Sequence, residues 1–415
     1  VPEKGVVLRV ANWGGAGDDG EFHTLVRKLY EEFEAQNPGI KIQVEGIPGS
    51  QEYVSKVLLS HVAHSAPDII TLDASSSAVF IENNVLRDLT PYVDADKEFK
   101  LDDYYPNVVD IARRGNAVYA IPGDFTPMVV YYNKQLFDEA GVPYPNPNWN
   151  RAEFLETAKS LTKNGKHGFV FTTWMPGWIM WLWNSGGDVF FVGDRSDSDD
   201  GGDSPSSPNS SLSPQVTLDS PQNIETVTWL SDLISKHRVS PSLSATAAQG
   251  VDPFANGTAA MQVSGHWAMV GLKAQKNIQM DRLGVVPMPS ESGKSQTVMY
   301  ESGFAIGKYS KNPGAAWKFI KFMTSYEVQK RYNATGIAIC ARKDVSQERA
   351  SDPLERSFID IVPSARGPWG AKVVGYDLVE EIGQKMMDSV VKNGVEPSVA
   401  LKKAAEDVRV ELAKK

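Results

Sequence analysis

The feature that most constrains this chain is the alternation of strand-like and helix-like segments along its first 73 residues. "VVLRVANW" (6–13) is β-rich and alternating; the loop "GGAGDDG" follows, and "EFHTLVRKLYEEFEAQN" (21–37) has helical periodicity up to Pro38-Gly39. A strand "IKIQVEGI" (40–47), a helix "SQEYVSKVLLSHVAHS" (50–65) and a strand "PDIITLD" (67–73) repeat the pattern. Such alternation predicts an α/β fold with a largely parallel sheet. Ligands of open α/β sheets collect beyond the carboxyl ends of the strands, where Trp13, Asp73 and the loops after them stand.

At 415 residues the chain is too long for one ordinary core, and two domains are expected. A net charge of −9 argues against a nucleic-acid partner, because that binding rests on Lys and Arg releasing counterions. No apolar run approaches the roughly 18 residues of a membrane span. The lone Cys340, in "GIAICAR", cannot form an internal disulfide and reads as an inert buried thiol. The opening "VPEKGVVLRV" has neither an initiator Met nor a basic-then-apolar leader, and reads as a mature or trimmed product.

Further along, "YAIPGDFTPMVVYYNKQLF" (119–137) reads as two extended pieces around a Pro/Gly/Thr break, with a first crossing between lobes near Phe125. "RAEFLETAKSLTK" (151–163) is helical and "GFVFTT" a strand. The low-complexity segment 194–214 predicts an exposed, dispensable loop. Asp197 and Asp199 match the first and third positions of a calcium loop, but Gly201 fills the fifth and Pro208 the closing one. His61 and His64, three apart on a helix, have metal-ligand spacing without further ligands nearby, and read as exposed histidines. "NSGGD" (184–188) lacks the G-x-S-x-G of a serine nucleophile and reads as a helix-ending Gly pair. No metal or cofactor motif emerges, while a glycosidase pair among the many carboxylates stays open.

Several separated blocks resemble, in order, the extracellular solute-binding proteins of ABC importers, the maltose-binding-like family. They are "PDIITLD", "NNVLRDLTPYV" (83–93), "YAIPGDFTPMVVYYNKQLFDEAGVP" (119–143) and "DPFANGTAAMQVSGHW" (252–267). "NPGAAWKFIKFMTSYEVQKRYNATGIAICARKDV" (312–345) and "PSVALKKAAEDV" (397–408) complete the match over nearly the whole chain. The resemblance implies the two-lobed periplasmic-binding-protein fold (type II), with a ligand cleft between α/β lobes that close about three hinge crossings. It places the first lobe at 1–125 plus 303–340 and the second at 126–302 plus 341–415, with hinges near 124–127, 299–303 and 339–342. It also implies no catalysis and no cofactor.

Sugar sites pair hydrogen-bonding side chains with aromatic faces. By the resemblance, Trp267 stacks on ligand, Asp73 takes hydroxyls, and Arg366 in "ARGPW" reaches the cleft with Trp369 beside it. Asp124 and Thr126 occupy the first crossing, where polar side chains have little reason to be buried except to bind. Trp13, Gly14 and Gln51 complete the expected set in the first lobe. Where the family often has Gly-Gly-Trp, this chain reads "YESGF" (300–304), with Gly303 in the aromatic's place and Glu301 and Ser302 expected to supply hydrogen bonds instead.

Four of the 10 tryptophans fall in "WMPGWIMWLW" (174–183). Pro176 suits a first helical turn, which leaves Trp174 in the preceding loop as a cleft wall. Trp178 is expected as a second contact, and Trp181 and Trp183 as core.

These readings predict a monomeric receptor outside the cytoplasmic membrane, periplasmic or held at the cell surface by a lipid anchor. It would deliver a sugar or short oligosaccharide to an ABC permease. The alternatives are a receptor for a glycerophosphodiester or polyamine, and a carbohydrate-active enzyme.

Overall fold

The computed structural model describes residues 5–12, 21–191, 214–245 and 252–414. Trp13, Gly14 and most of the 194–214 segment lie outside the described residues. The main strands are β1 (Val6–Asn12), β2 (Ile40–Gly46), β3 (Ile69–Asp73), β4 (Ile121–Pro127), β5 (Val129–Asn133), β6 (Met261–Ser264), β7 (Leu283–Val286), β8 (Thr297–Ile306) and β9 (Ile339–Cys340). The helices packed around them include α1 (Glu21–Gln36), α2 (Ser50–Val62), α3 (Arg151–Leu161), α4 (Pro313–Met323), α5 (Tyr326–Ala334) and α6 (Pro353–Ile361). No helix among the described residues is long and apolar enough to cross a membrane.

The chain divides into two compact units, Val1–Thr126 with Met299–Ser351 and Gly367–Val374, and Pro127–Val298 with Asp352–Arg366 and Gly375–Lys415. The first two changes of unit fall at 126/127 and 298/299, inside β4 and β8. The third falls at 351/352, later than the 339–342 read from the resemblance. The segment after β9 stays in the first unit because Arg342 pairs with Asp103 at 3.1 Å and Ser346 Oγ lies 2.9 Å from the Tyr105 hydroxyl. The excursion at 367–374 is tied there as well: Arg114 donates to the Ala371 carbonyl at 2.6 Å, and Lys372 to that of Asp110 at 3.0 Å.

The sheet of the first unit has the order β9-β4-β8-β3-β1-β2. β1 runs parallel to β2 and to β3, as α1 and α2 dictate by returning the chain to the same end each time. β8 pairs antiparallel with β3, Ser302 opposite Asp73, and β9 antiparallel with β4. The sheet is therefore mixed, because β8 enters from the second unit rather than through a helical crossover. One face packs Ile70, Leu72 and Ala305 against Phe80, Val85 and Ala112. On the helical layer, α1 sets Phe33 edge-on to Phe319 of α4 at 5.3 Å between ring centroids.

The second unit contains a three-stranded antiparallel sheet, β6-β5-β7. "GFVFTT" forms no strand but a single isolated parallel bridge beside it, Val170 opposite Gln262, with a second at the preceding His167, opposite Ala259. α3 opens with a capping box in which Asn150 and Glu153 each accept the other's backbone N–H, at 3.0 and 2.9 Å. The short helix Ile179–Asn184 ends at Gly186, whose φ of 82° is the left-handed conformation a helix stop requires. A Cβ on the adjacent Gly187 would stand 2.0 Å from Asn223 Oδ1. The "NSGGD" glycines end a helix and admit a packed asparagine.

Candidate functional site

Within the first unit, β4, β8 and β3 lie side by side and bring Asp124, Thr126, Glu301, Ser302 and Asp73 to neighbouring positions. Asp73 ends β3, and its carboxylate accepts the Ser76 N–H at 2.8 Å. Asp124 is buried and accepts the Tyr332 hydroxyl, while the Ser302 side chain also hydrogen-bonds it. Burial pushes the Asp124 carboxyl up to about 6, against the lowering effect of those two donors.

Glu301 is 2% exposed, and its Oε2 has no hydrogen-bond partner among the described residues. Burial, then the negative charges of Asp124 and Asp73, push its carboxyl well above the usual range. Burial likewise raises Asp73. Gly303 makes room for this arrangement, since an added Cβ would lie 2.5 Å from Glu301 Oε1 and 2.8 Å from the Ile121 carbonyl oxygen. The glycine expected in the aromatic's place thus accommodates the neighbouring carboxyl group. Gln51 is exposed on the first turn of α2, and Trp369 is half-buried in the turn Trp369–Ala371 of the same unit.

Within the second unit the tryptophans separate by role. Trp174 is 43% exposed and Trp267 half-buried; their rings meet edge to face at 6.4 Å between centroids. Gly265 is the seat of the second indole, for an added Cβ would stand 2.4 Å from the nearest Trp267 ring carbon. The seat is fixed from below: the Tyr131 hydroxyl donates to the Gly265 carbonyl at 2.9 Å, and the buried His266 Nε2 lies 3.0 Å from Glu355 Oε2 on α6. Gly265, Tyr131 and Glu355 were not singled out by the sequence; only the small-x-aromatic spacing "GHW" hints at the seat.

Trp178 departs from its expected role. It is fully buried, its indole N–H donates to the Thr173 carbonyl at 3.0 Å, and a Cβ on Gly383 would sit 3.3 Å from its ring. It is core and presents no face to a ligand, because the helix begins at Ile179 and turns Trp178 inward with Trp181. Trp181 and Trp183 are buried as expected. Arg366 is half-buried and engaged, pairing with Asp188 at 2.6 Å with its guanidinium 3.7 Å above the Trp183 ring. Its sequence neighbour Trp369 belongs to the first unit, across the 366/367 change.

Two minor motifs resolve into packing. His61 and His64 flank the Tyr309 ring at 4.9 and 4.3 Å, and no group of His, Cys, Asp and Glu among the described residues could hold a metal. Cys340 is buried, donates to Gln329 Oε1 at 2.7 Å, and has its thiol pushed up to about 12 by burial.

The family model for bacterial extracellular solute-binding proteins matches residues 17–330. The chain belongs to this family. Among similar proteins, the multiple sugar-binding protein of Streptococcus mutans is 23% identical over 354 residues, 81% of this chain and 76% of the relative. The ABC substrate-binding protein of Listeria monocytogenes, solved in complex with cycloalternan, is 23% identical, covers 98% of each chain and superposes with a TM-score of 0.79. The sugar-binding protein MalE of Xanthomonas citri is 21% identical over 99% of this solute-binding protein and 98% of its own chain, with a TM-score of 0.80. At such identities the structural likeness shows the fold, that of the two-lobed maltose-binding type. The family and these neighbours are binding proteins.

Proposed function

We propose that this solute-binding protein captures a sugar or short oligosaccharide outside the cytoplasmic membrane and delivers it to the permease of an ABC importer, with no catalytic turnover. The observation that carries the sugar reading is the Trp174–Trp267 pair, two indoles with exposed surface in edge-to-face contact, one of them seated on a bare glycine. Indole faces cover the C–H patches of a pyranose at little conformational cost. Asp73, Asp124 and Ser302 supply the acceptors and donors that hydroxyls require. The proposal extends to both sets of residues acting on one ligand, with the lobes closing about the β4 and β8 crossings. Relatives named for sugar binding support it. A monomer, held at the cell surface through a lipid anchor or free in the periplasm, completes it.

The test is calorimetric titration with neutral oligosaccharides, repeated with Trp267→Ala and Asp124→Asn. Both variants should lose affinity while remaining folded. Turnover of a carbohydrate by the purified protein, abolished by removing one carboxylate, would replace this reading with an enzyme.

A further inference from the structure

Glu301 is the least accommodated side chain of the candidate site. Its carboxyl group lies over Gly303 on β8, removed from water, and Oε2 meets no donor among the described residues. A buried carboxylate is ordinarily matched by a cation or by several N–H donors. Among the described residues, the charges acting on it are Asp124 on β4 and Asp73 on β3, both of its own sign. The other titratable groups facing Asp124 are the Tyr332 hydroxyl, which serves that aspartate, and the Cys340 thiol opposite it on β9, neither of them a cation. Asp73 is answered by Ser76 and Ser75, and the buried Tyr53 hydroxyl feels its charge; no cation among the described residues acts on it. Three carboxyl groups on adjacent strands thus share a few hydroxyl and backbone donors, and the most buried of them has an oxygen unserved.

We propose that the natural ligand carries a protonated amine, as in an amino sugar or an oligosaccharide containing one, and that Glu301 is the residue that reads it. This rests on the sugar reading and narrows it. A primary ammonium brings three N–H donors and the missing positive charge to one point, and neutral hydroxyls bring neither in that density. The same groups set the opposite preference: a uronate or a sugar phosphate would add a like charge beside three carboxyls and be rejected. Gly303 is part of the device, because any side chain there would displace the Glu301 carboxyl. Burial also makes Glu301 hold a proton more tightly than an ordinary glutamate. The ammonium and that proton compete for one carboxylate, and binding of the amine expels the proton to solvent.

The experiment compares matched pairs by calorimetry at pH 7: gluco-oligosaccharides against glucosamine oligomers, and galacto-oligosaccharides against galactosamine oligomers. The amine-bearing member of a pair should bind at least tenfold tighter, about 1.4 kcal/mol. In buffers of different ionisation enthalpy, the observed heat should show proton release for the amine alone. In Glu301→Gln, nearly the same shape without the charge, the ratio within the pair should fall close to one. The wild-type comparison stands even if that variant misfolds. Equal or tighter binding of the neutral member overturns the amine proposal and leaves the sugar reading intact, as does a ratio that persists in folded Glu301→Gln. Failure of every carbohydrate, neutral and amine-bearing, to bind the folded wild-type protein overturns both.

Discussion

The indole of Trp267 lies where a side chain on Gly265 would have to be, with three ring carbons 2.4, 2.6 and 2.6 Å from the position of an added Cβ. Glycine two residues before this tryptophan is therefore what lets the ring lie flat against its own loop. Gly265→Ala should tilt the platform and weaken ligand by about tenfold or more, a loss of roughly 1.4 kcal/mol. Trp267→Ala removes the platform entirely, and truncations of this kind commonly cost about 2–4 kcal/mol. Titration beside melting curves checks both; normal affinity in a destabilised Trp267→Ala would move the residue to the core.

Trp174 and Trp178 are four residues apart and should respond in opposite ways. Trp174 is 43% exposed, so Trp174→Ala should weaken ligand and leave the melting temperature nearly unchanged. Trp178 is wholly buried, and truncating such a ring commonly costs about 3–5 kcal/mol of stability. Trp178→Ala should melt early yet bind normally in the fraction that remains folded. A stable Trp178→Ala variant with weakened binding would return it to the site.

The contrast shows what was readable beforehand. The βαβ alternation of residues 6–73 is local, set by periodicities of two and 3.6, and it appears in the structure nearly residue for residue. The antiparallel β8 was not legible, because a strand's partner and direction depend on a segment more than 200 residues away from β3 in the chain. The same holds for Asp124 and Tyr332, 208 residues apart and joined only by the fold. Trp178 failed for a nearer reason. The turn at Met175–Gly177 is a single 3₁₀ turn, so the helix starts later than Pro176 suggests and the ring faces inward. Gly303 read as a lost stacking residue, whereas its missing side chain is the space that Glu301 fills.

Stability should carry the signature of Asp124. Its carboxyl titrates at about 6 in the folded protein against an ordinary value of 3.8, so the folded state holds the proton more tightly than the unfolded state does. The sign follows: the contribution is fully present below the unfolded value and is lost as pH rises through the folded one. Two units correspond to roughly 3 kcal/mol, an order of magnitude for a buried group. Relative to wild type, Asp124→Asn should gain stability progressively between about pH 4 and pH 6 and hold the gain above it. Urea unfolding at several pH values measures this, and a difference that stays constant across the window would rule out the buried aspartate as its source.

The Cys340 thiol should be silent in the native protein. Burial and its hydrogen bond to Gln329 hold it in the protonated form, and the thiolate is the reactive species. A chromogenic disulfide reagent should label it only at the rate of unfolding. Prompt labelling without denaturant would contradict its placement beside β4.

The central claim is capture of a carbohydrate, and a thermal-shift screen against a library of neutral and amine-bearing oligosaccharides, followed by titration of any hit, tests it most directly. Ligand present at about 100 times its dissociation constant stabilises by roughly 2.7 kcal/mol. At least one member of the library should raise the melting temperature in a saturable way, and the same titration with Trp267→Ala should require about 30- to 1000-fold more ligand, the range set by about 2–4 kcal/mol. A folded protein that no carbohydrate stabilises, while a polyamine or a glycerophosphodiester does, would contradict the account.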